Sequence, residues 1–260
     1  GQGFMEGFGV QYQDREGKLT HPCYTSWGLS TRSIGGVISS HSDDKWFIVP
    51  PRLSEYRATI LPIYGKDNVE KVNAYAREIA RDLVWGDVEV PVQGEYFRAI
   101  VGSRGKVLID FRDARLGEKI GDWEQSGYPV RIECGERDIE GGKCVVASRI
   151  SWEKTIIERQ LADETVTSMH EEGQKILLTN STNRLRDNTV ACTSIEEVGQ
   201  AIEAGKFALY EWDRNPEMEK EIKDRWKATA RCIPFEGQFT DDMLTLKNPE
   251  NVKVIISRNF

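Results

Sequence analysis

Ala58-Thr59-Ile60-Leu61-Pro62-Ile63-Tyr64-Gly65-Lys66-Asp67-Asn68-Val69-Glu70 decides the fold class. Ala58–Tyr64 is a short apolar run closed by Gly65, the pattern of a buried strand. Asp67 then opens a helix, with Glu70 three residues on as a capping box. Val69, Val72, Ala76, Ile79 and Leu83 recur at helical spacing and give that helix one apolar face. Val107–Phe111 predicts a second strand, and Leu116–Ser126 a helix stopped by Gly127 and Pro129. Val130–Cys134 and Cys144–Ser148 predict two more strands, joined by a turn-rich Gly135–Lys143. Strands alternating with helices predict a mixed α/β domain with crossover connections.

Outside this block the pattern changes on both sides. Toward the N-terminus, strand-like and glycine-rich stretches run to Pro50-Pro51, a pair that interrupts sheet and helix alike. Beyond Glu158 the sequence predicts a long polar helix, a Thr/Asn-rich loop around Asn180–Asn188, and a helix from Ser194-Ile195-Glu196-Glu197 to Gly205. A strand at Phe207–Trp212, a helix at Pro216–Trp226 and a last strand at Val252–Ser257 follow. The expected blocks are residues 1–56, 57–160 and 161–260.

Composition narrows the function classes. The 260 residues are 39% hydrophobic and 30% charged, as in ordinary globular proteins, and no apolar run reaches membrane-spanning length. A net charge of −7 argues against a basic nucleic-acid coat but leaves room for a local RNA-reading patch. Cys23, Cys134, Cys144, Cys192 and Cys232 form no C-x-x-C pair, so reduced thiols are expected. With His21, His41 and His170 as the only histidines, structural zinc is not expected. The start at Gly1-Gln2-Gly3-Phe4, without Met, suggests a boundary inside a longer protein or further residues upstream.

Thr25-Ser26-Trp27-Gly28-Leu29-Ser30-Thr31-Arg32-Ser33-Ile34-Gly35-Gly36 carries the chemistry. Pro22–Thr25 is expected to end a strand, and the residues after Ser30 to form a helix with Ile34, Val37 and Ile38 facing inward. Such a helix start directs free N–H groups and positive potential outward, which suits a phosphate, and Arg32 adds a permanent cation. The same residues also fit a buried corner in which Arg32 pairs with a carboxylate. Other signals are weaker. Gly102-Ser103-Arg104-Gly105-Lys106 lacks the Ser/Thr and spacing of a phosphate loop and fits a turn. His170 fits a solvated helix position, and Cys23 near His21 lacks an orienting group.

Taken in order, the chain resembles prolyl-tRNA synthetase of the eukaryotic and archaeal type. The matching residues are Phe8-Gly9-Val10-Gln11-Tyr12-Gln13-Asp14, Thr25–Arg32, His41, Asp43-Asp44, Pro50-Pro51-Arg52, Asp110-Phe111-Arg112-Asp113, Trp123-Glu124, Pro129–Glu133, Gly135–Asp138 and Arg231–Phe235. The resemblance implies the motif 3 end of a class II antiparallel catalytic sheet, an α/β anticodon-binding domain and a small C-terminal α/β domain. It implies that Arg32 acts on ATP in catalysis, with Ser30 and Thr31 in the same ATP-contacting turn. Ser26, Trp27 and Gly28 would line the prolyl pocket. The implied reaction is ATP-dependent activation of L-proline, with Mg2+, and transfer to tRNA(Pro) by a cytoplasmic homodimer. In the second domain Arg112, Arg115, Lys119, Trp123, Glu133 and Arg137 become candidate anticodon contacts, although a charge at a strand end is often only solvated.

The departures also carry expectations. Motifs 1 and 2, which supply the family's dimer interface and its other ATP-contacting arginine, are absent, so the chain alone is expected to be inactive. Ser42 and Trp46 replace usual glycines. Asp213, Met218, Met243 and Leu246 stand where the family often has four zinc-binding cysteines, a set unfit for zinc, so Trp212 and Met218 are expected to be core. Phe260 replaces a terminal tyrosine. A non-catalytic paralogue that binds RNA or protein is the alternative reading.

Overall fold

The computed structural model describes every residue except Gln93, Glu236, Asn259 and Phe260, so the reading of Phe260 lies outside the described residues. The chain divides into two compact units, 1–42 and 43–260.

The first unit holds helix α1 (Gly3–Gly7), the antiparallel pair β1 (Tyr12–Gln13) and β2 (Leu19–Thr20), and helix α2 (Arg32–His41). None of its described residues is buried. Residues 21–30 adopt no regular structure, so the strand expected at Pro22–Thr25 is not formed. Ile34 and Ile38 are exposed rather than inward-facing. The reason is physical: a two-rung hairpin has too few strands to offer an amphipathic helix an apolar layer.

The second unit carries two sheets. The larger is built from β3 (Thr59–Pro62), α3 (Val69–Val84), β4 (Val88–Pro91), β5 (Phe97–Gly102), β6 (Gly105–Asp110), α4 (Leu116–Ser126), β7 (Val130–Cys134), α5 (Glu136–Gly141), β8 (Lys143–Ser148) and β9 (Lys154–Glu158). Its strand order is β4-β5-β6-β3-β7-β8-β9, with β3 parallel to both β6 and β7 and every other neighbour antiparallel. Alternation sorts the side chains of the three central strands. Ala58, Ile60, Val107, Ile109, Val130 and Ile132 join one core with α3 and the start of α6 (Ala162–Asp187). Thr59, Leu61, Leu108, Asp110, Arg131 and Glu133 therefore share the opposite face. The register confirms this by pairing Thr59 with Leu108 and Arg131, and Leu61 with Glu133. Helix α4 lies on that second face.

Several expectations change. Asp67 does not cap α3; the N-cap is Asn68, whose side chain instead accepts from the Gly65 N–H at 2.7 Å. Gly135–Lys143 is not merely a turn but contains α5, since Asp138 caps the free Gly135 N–H at 2.8 Å. The expected loop at 180–188 is instead helical through Asp187, as the last turns of α6. His170 is not solvated: one ring nitrogen sits 2.8 Å from the Arg57 carbonyl, and burial lowers its pKa. Residues 47–53 pack with this unit, where the Val49 N–H reaches the Gly127 carbonyl at 2.9 Å. Gly127 (φ 73°) is required there, because a Cβ would stand 2.4 Å from the Phe47 carbonyl oxygen.

The smaller sheet contains β10 (Thr189–Cys192), α7 (Ile195–Glu203), β11 (Phe207–Trp212), α8 (Pro216–Trp226), β12 (Ala228–Cys232), α9 (Asp241–Leu244) and β13 (Val252–Arg258), in the strand order β10-β11-β13-β12. Ser194 caps α7 by accepting from the Glu197 N–H at 3.2 Å. Trp212 and Met218 pack against the core of α7 and α8, whereas Met243 packs against a separate cluster around Leu209 and Phe239. Met218 and Met243 thus belong to different cores. With a leucine as fourth member, the set does not suit zinc.

Glu211 ties the last loop to this sheet, accepting from the Lys247 N–H at 2.7 Å, the Asn248 N–H at 2.9 Å and the Asn251 amide at 3.0 Å. The backbone bonds from Lys247 and Asn248 dominate and hold its pKa at about 2, down from 4.5. A carboxylate depressed in the fold adds stability that is complete above its unfolded pKa and lost as pH falls through its folded one. The stability gap between wild type and Glu211→Gln should therefore be full near neutrality and close between about pH 4.5 and about pH 2. Denaturant melts across that range check it. A gap independent of pH would refute the assignment.

Candidate nucleic-acid interface

Two regions concern the expected site residues, and each lies within one unit. In the first, Thr31 is the N-cap of α2 but makes no side-chain capping bond, and the Ser33 and Ile34 N–H groups donate instead to the Ser30 and Thr31 carbonyls at 3.0 and 3.1 Å. Arg32 is exposed and has no hydrogen bond or ion pair among the described residues. The buried-corner alternative, with Arg32 tied to a carboxylate, is not what the chain adopts. Trp27 is 94% exposed and Leu29 90% exposed, so no described residue of this unit covers the stretch Ser26, Trp27 and Gly28. At the C-terminal end of α2, both the N–H and the hydroxyl of Ser42 donate to the Ile38 carbonyl, at 3.0 and 2.6 Å.

The second region is built around β3, where connections leave the sheet on both sides of one parallel strand. Such switch points open crevices at the carboxyl ends of strands. The loop after β6 presents Arg112 and Arg115, and α5, after β7, presents Arg137. Arg115 and Arg137 are exposed, with no ion-pair partner among the described residues. Arg112 is engaged: it grips both Asp110 carboxylate oxygens at 2.9 and 2.7 Å, reaches Asp122 at 2.7 Å and lies over the Phe97 ring. The Asp110 bond chiefly raises its pKa.

Three of the expected contacts sit deeper than strand-end positions would suggest. Lys119 is 1% exposed, and its ammonium donates to the carbonyls of Pro62 at 3.0 Å and Asp110 at 3.1 Å. Burial lowers its pKa, opposed by the Asp110 charge. It is a strut between β3 and β6 rather than an exposed cation. Trp123 is 2% exposed and carries the Arg131 guanidinium 4.6 Å over its ring, which leaves that face unavailable to a base. Glu133 is buried and receives Arg131 Nε at 2.9 Å and Lys154 Nζ at 2.9 Å.

Sequence reasoning passed over Arg131 and Lys154. With Trp123 and Glu133 they form one continuous array on the α4 side of β7–β9. Lys154 is half-exposed at its outer end, beside an exposed Ile156. The legible signal was the polar-apolar alternation of Val130-Arg131-Ile132-Glu133-Cys134, since two charges on one face of an interior strand imply a paired polar surface. Lys154 gave no local signal, because β9 was not anticipated.

The second unit is thus an α/β domain with two exposed arginines, Arg115 and Arg137, near a switch point, followed by a small α/β sheet. Residues 57–169 match the family model for the anticodon binding domain, and residues 195–260 match that for the C-terminal domain of prolyl-tRNA synthetase. The chain is 38% identical over 242 residues to a proline–tRNA ligase of Chlorobaculum tepidum, covering 92% of this chain and 46% of that protein. It is 32% identical over 263 residues to that of Porphyromonas gingivalis W83, covering 100% and 50%. It is 34% identical over 239 residues to that of Mesomycoplasma hyopneumoniae strain J, covering 92% and 46%. The chain belongs to the prolyl-tRNA synthetase family, of which it carries the anticodon-binding and C-terminal domains. It spans about half the length of the curated relatives it matches. Among the described residues no helix is long and apolar enough to cross a membrane.

Proposed function

We propose that this chain is the tRNA-recognising half of a proline–tRNA ligase, and that its second unit holds the anticodon of tRNA(Pro). The observation that carries this reading is the pair of exposed guanidiniums, Arg115 and Arg137, in the segments that follow β6 and β7, which have no ion-pair partner among the described residues. Free guanidiniums bind phosphate and base edges, and the half-exposed Lys154 at the outer end of the array adds a further donor.

For the whole ligase, the proposed chemistry is attack of the L-proline carboxylate on the α-phosphate of ATP with loss of pyrophosphate, then transfer of the prolyl group to tRNA(Pro) with loss of AMP, in a cytoplasmic homodimer. Arg32 would neutralise phosphate charge, with Ser30 and Thr31 in the same turn, and Mg2+ would supply further charge stabilisation there. The exposure of Arg32 and the absence of a capping bond from Thr31 are compatible with that role. Ser26, Trp27 and Gly28 would become one wall of a proline pocket, with no other wall among the described residues of their unit. The chain alone should therefore bind tRNA(Pro) without catalysing proline-dependent pyrophosphate exchange.

Fluorescence anisotropy with labelled tRNA tests the reading. The chain should bind tRNA(Pro) at low salt more tightly than a tRNA with an unrelated anticodon. Because two phosphate-directed charges are lost, Arg115→Ala/Arg137→Ala should weaken binding at least about fivefold and lower the salt slope by about 1 to 2. Equal affinity for all tRNAs, or an unchanged affinity in the double variant, would sink it.

A further inference from the structure

Asn68 stands at the N-cap of α3 but does not cap it, since its side chain makes no bond to the first-turn N–H groups. An asparagine at this position ordinarily accepts from the N–H two or three residues on. Here both ends of the amide face other elements. Oδ1 accepts from the Gly65 N–H at 2.7 Å, in the loop after β3, and Nδ2 donates to Glu136 Oε2 at 3.1 Å, in the first turn of α5. An N–H at one end and a carboxylate at the other fix the orientation of the amide. Asn68 is 8% exposed, so the bridge lies largely out of water. Gly65 lets the loop close on it, because a Cβ there would stand 2.9 Å from Asn68 Nδ2.

The residue after Glu136 is Arg137, one of the two exposed guanidiniums that carry the proposed function. α5 has six residues, too few to hold its place unaided. Three bonds fix its start: Gly135 N–H to Asp138 at 2.8 Å, Ile63 N–H to the Cys134 carbonyl at 2.8 Å, and the Asn68 bridge. Of these, only the Asn68 bridge reaches the first turn of α5 from another element. The two carboxylates that flank Arg137 in the chain are both engaged, Glu136 by Asn68 and Asp138 by the Gly135 N–H. The guanidinium between them has no ion-pair partner among the described residues.

We propose that Asn68 is a positioning residue for tRNA binding. By joining the loop after β3 to the first turn of α5, it sets where the Arg137 guanidinium meets a phosphate. This role rests on the proposed function and deepens it, naming a buried, uncharged residue that acts through Arg137.

The full chain is titrated with tRNA(Pro) by fluorescence anisotropy over a series of salt concentrations. Asn68→Ala removes no charge, yet it should weaken binding about threefold or more and lower the salt slope by up to about 1, the worth of one phosphate contact. A residue with only a structural role would leave that slope alone. The loss should not exceed that of Arg137→Ala, and should vanish where Arg137 is already alanine. Reversing the polarity of the bridge supplies the rescue. Asn68→Asp sets carboxylate against carboxylate and should weaken binding further, whereas Asn68→Asp/Glu136→Gln restores donor, acceptor and net charge and should return to within about twofold of wild type. In the chain without RNA, Asn68→Ala should speed hydrogen exchange over residues 135–141 and leave α3 as it was.

An unchanged salt slope, an undiminished loss in the Arg137→Ala background, or no rescue by the reversed pair would overturn the proposal. So would faster exchange in α3 instead of α5, the mark of an ordinary helix cap. Wild type that fails to bind tRNA(Pro) would sink the proposed function and this role with it. Binding that Arg115→Ala/Arg137→Ala weakens but Asn68→Ala does not would sink the positioning role alone.

Discussion

Lys119→Ala should destabilise the second unit by about 3 kcal/mol or more, because two carbonyls each lose a charge-assisted hydrogen bond of about 1.5–3 kcal/mol. The ammonium is the only described side-chain donor shown to reach the carbonyls of both Pro62 and Asp110, at the carboxyl ends of two adjacent parallel strands. It also rests 4.7 Å from the centroid of Tyr64. Alanine would leave two carbonyls facing a void, so desolvation and cavity costs add. Lys119→Met fills the void but still abandons the carbonyls, and should recover only part of the loss. Urea unfolding of the full chain, with the midpoint read at constant slope, measures both. If alanine lowered stability by less than about 1 kcal/mol, Lys119 would be an ordinary surface lysine, for which such small changes are usual.

Gly102→Ala should cost about as much through an opposite fault, too many atoms instead of too few. A Cβ on Gly102 would lie 2.2 Å from the Val84 carbonyl oxygen and 2.7 Å from the Gly86 N. Neither neighbour is a side chain that can rotate away. The α3 helix ends here in a left-handed Trp85 (φ 52°), and its Val84 carbonyl accepts from the Arg104 N–H of the β5–β6 turn at 3.0 Å. Relief of the clash would break that bond and shift the helix end from the hairpin. Overpacking costs about 1–3 kcal/mol where side chains yield, so backbone against backbone should reach the upper end or beyond. Gly86→Ala meets the same contact from the other side, with Gly102 Cα at 2.3 Å. The double variant should therefore fall short of the sum of the singles. Additive losses in the unfolding midpoint would show that the two glycines do not share one contact.

Gly102 also shows how reading by type differs from reading by place. The sequence permitted the correct conclusion that Gly102–Lys106 is a turn, because the phosphate-loop spacing fails. It gave no sign that this turn abuts a helix end, since that contact joins residues far apart in the chain.

The amino-acid order alone determined the alternation of strands and helices in the second unit, because a buried strand and an amphipathic helix each write their period into neighbouring residues. β3, α4, β7, α7, β11 and α8 were all legible in this way, with stops at Gly127 and the Ser194 cap. The β4–β5 hairpin was not, since Pro91 and Gly94 break its pattern. α5 and the end of α6 were misread because glycine, threonine and asparagine there suggested loops, and tertiary contacts outweighed weak propensity. The site divided along the same line. Arginines at strand ends could be found from sequence, but which remain free was decided by folding. Asp110 claimed Arg112, Glu133 claimed Arg131, and Arg115 and Arg137 were left open. Partnership between charges depends on distance in space, and only the packed sheet sets those distances.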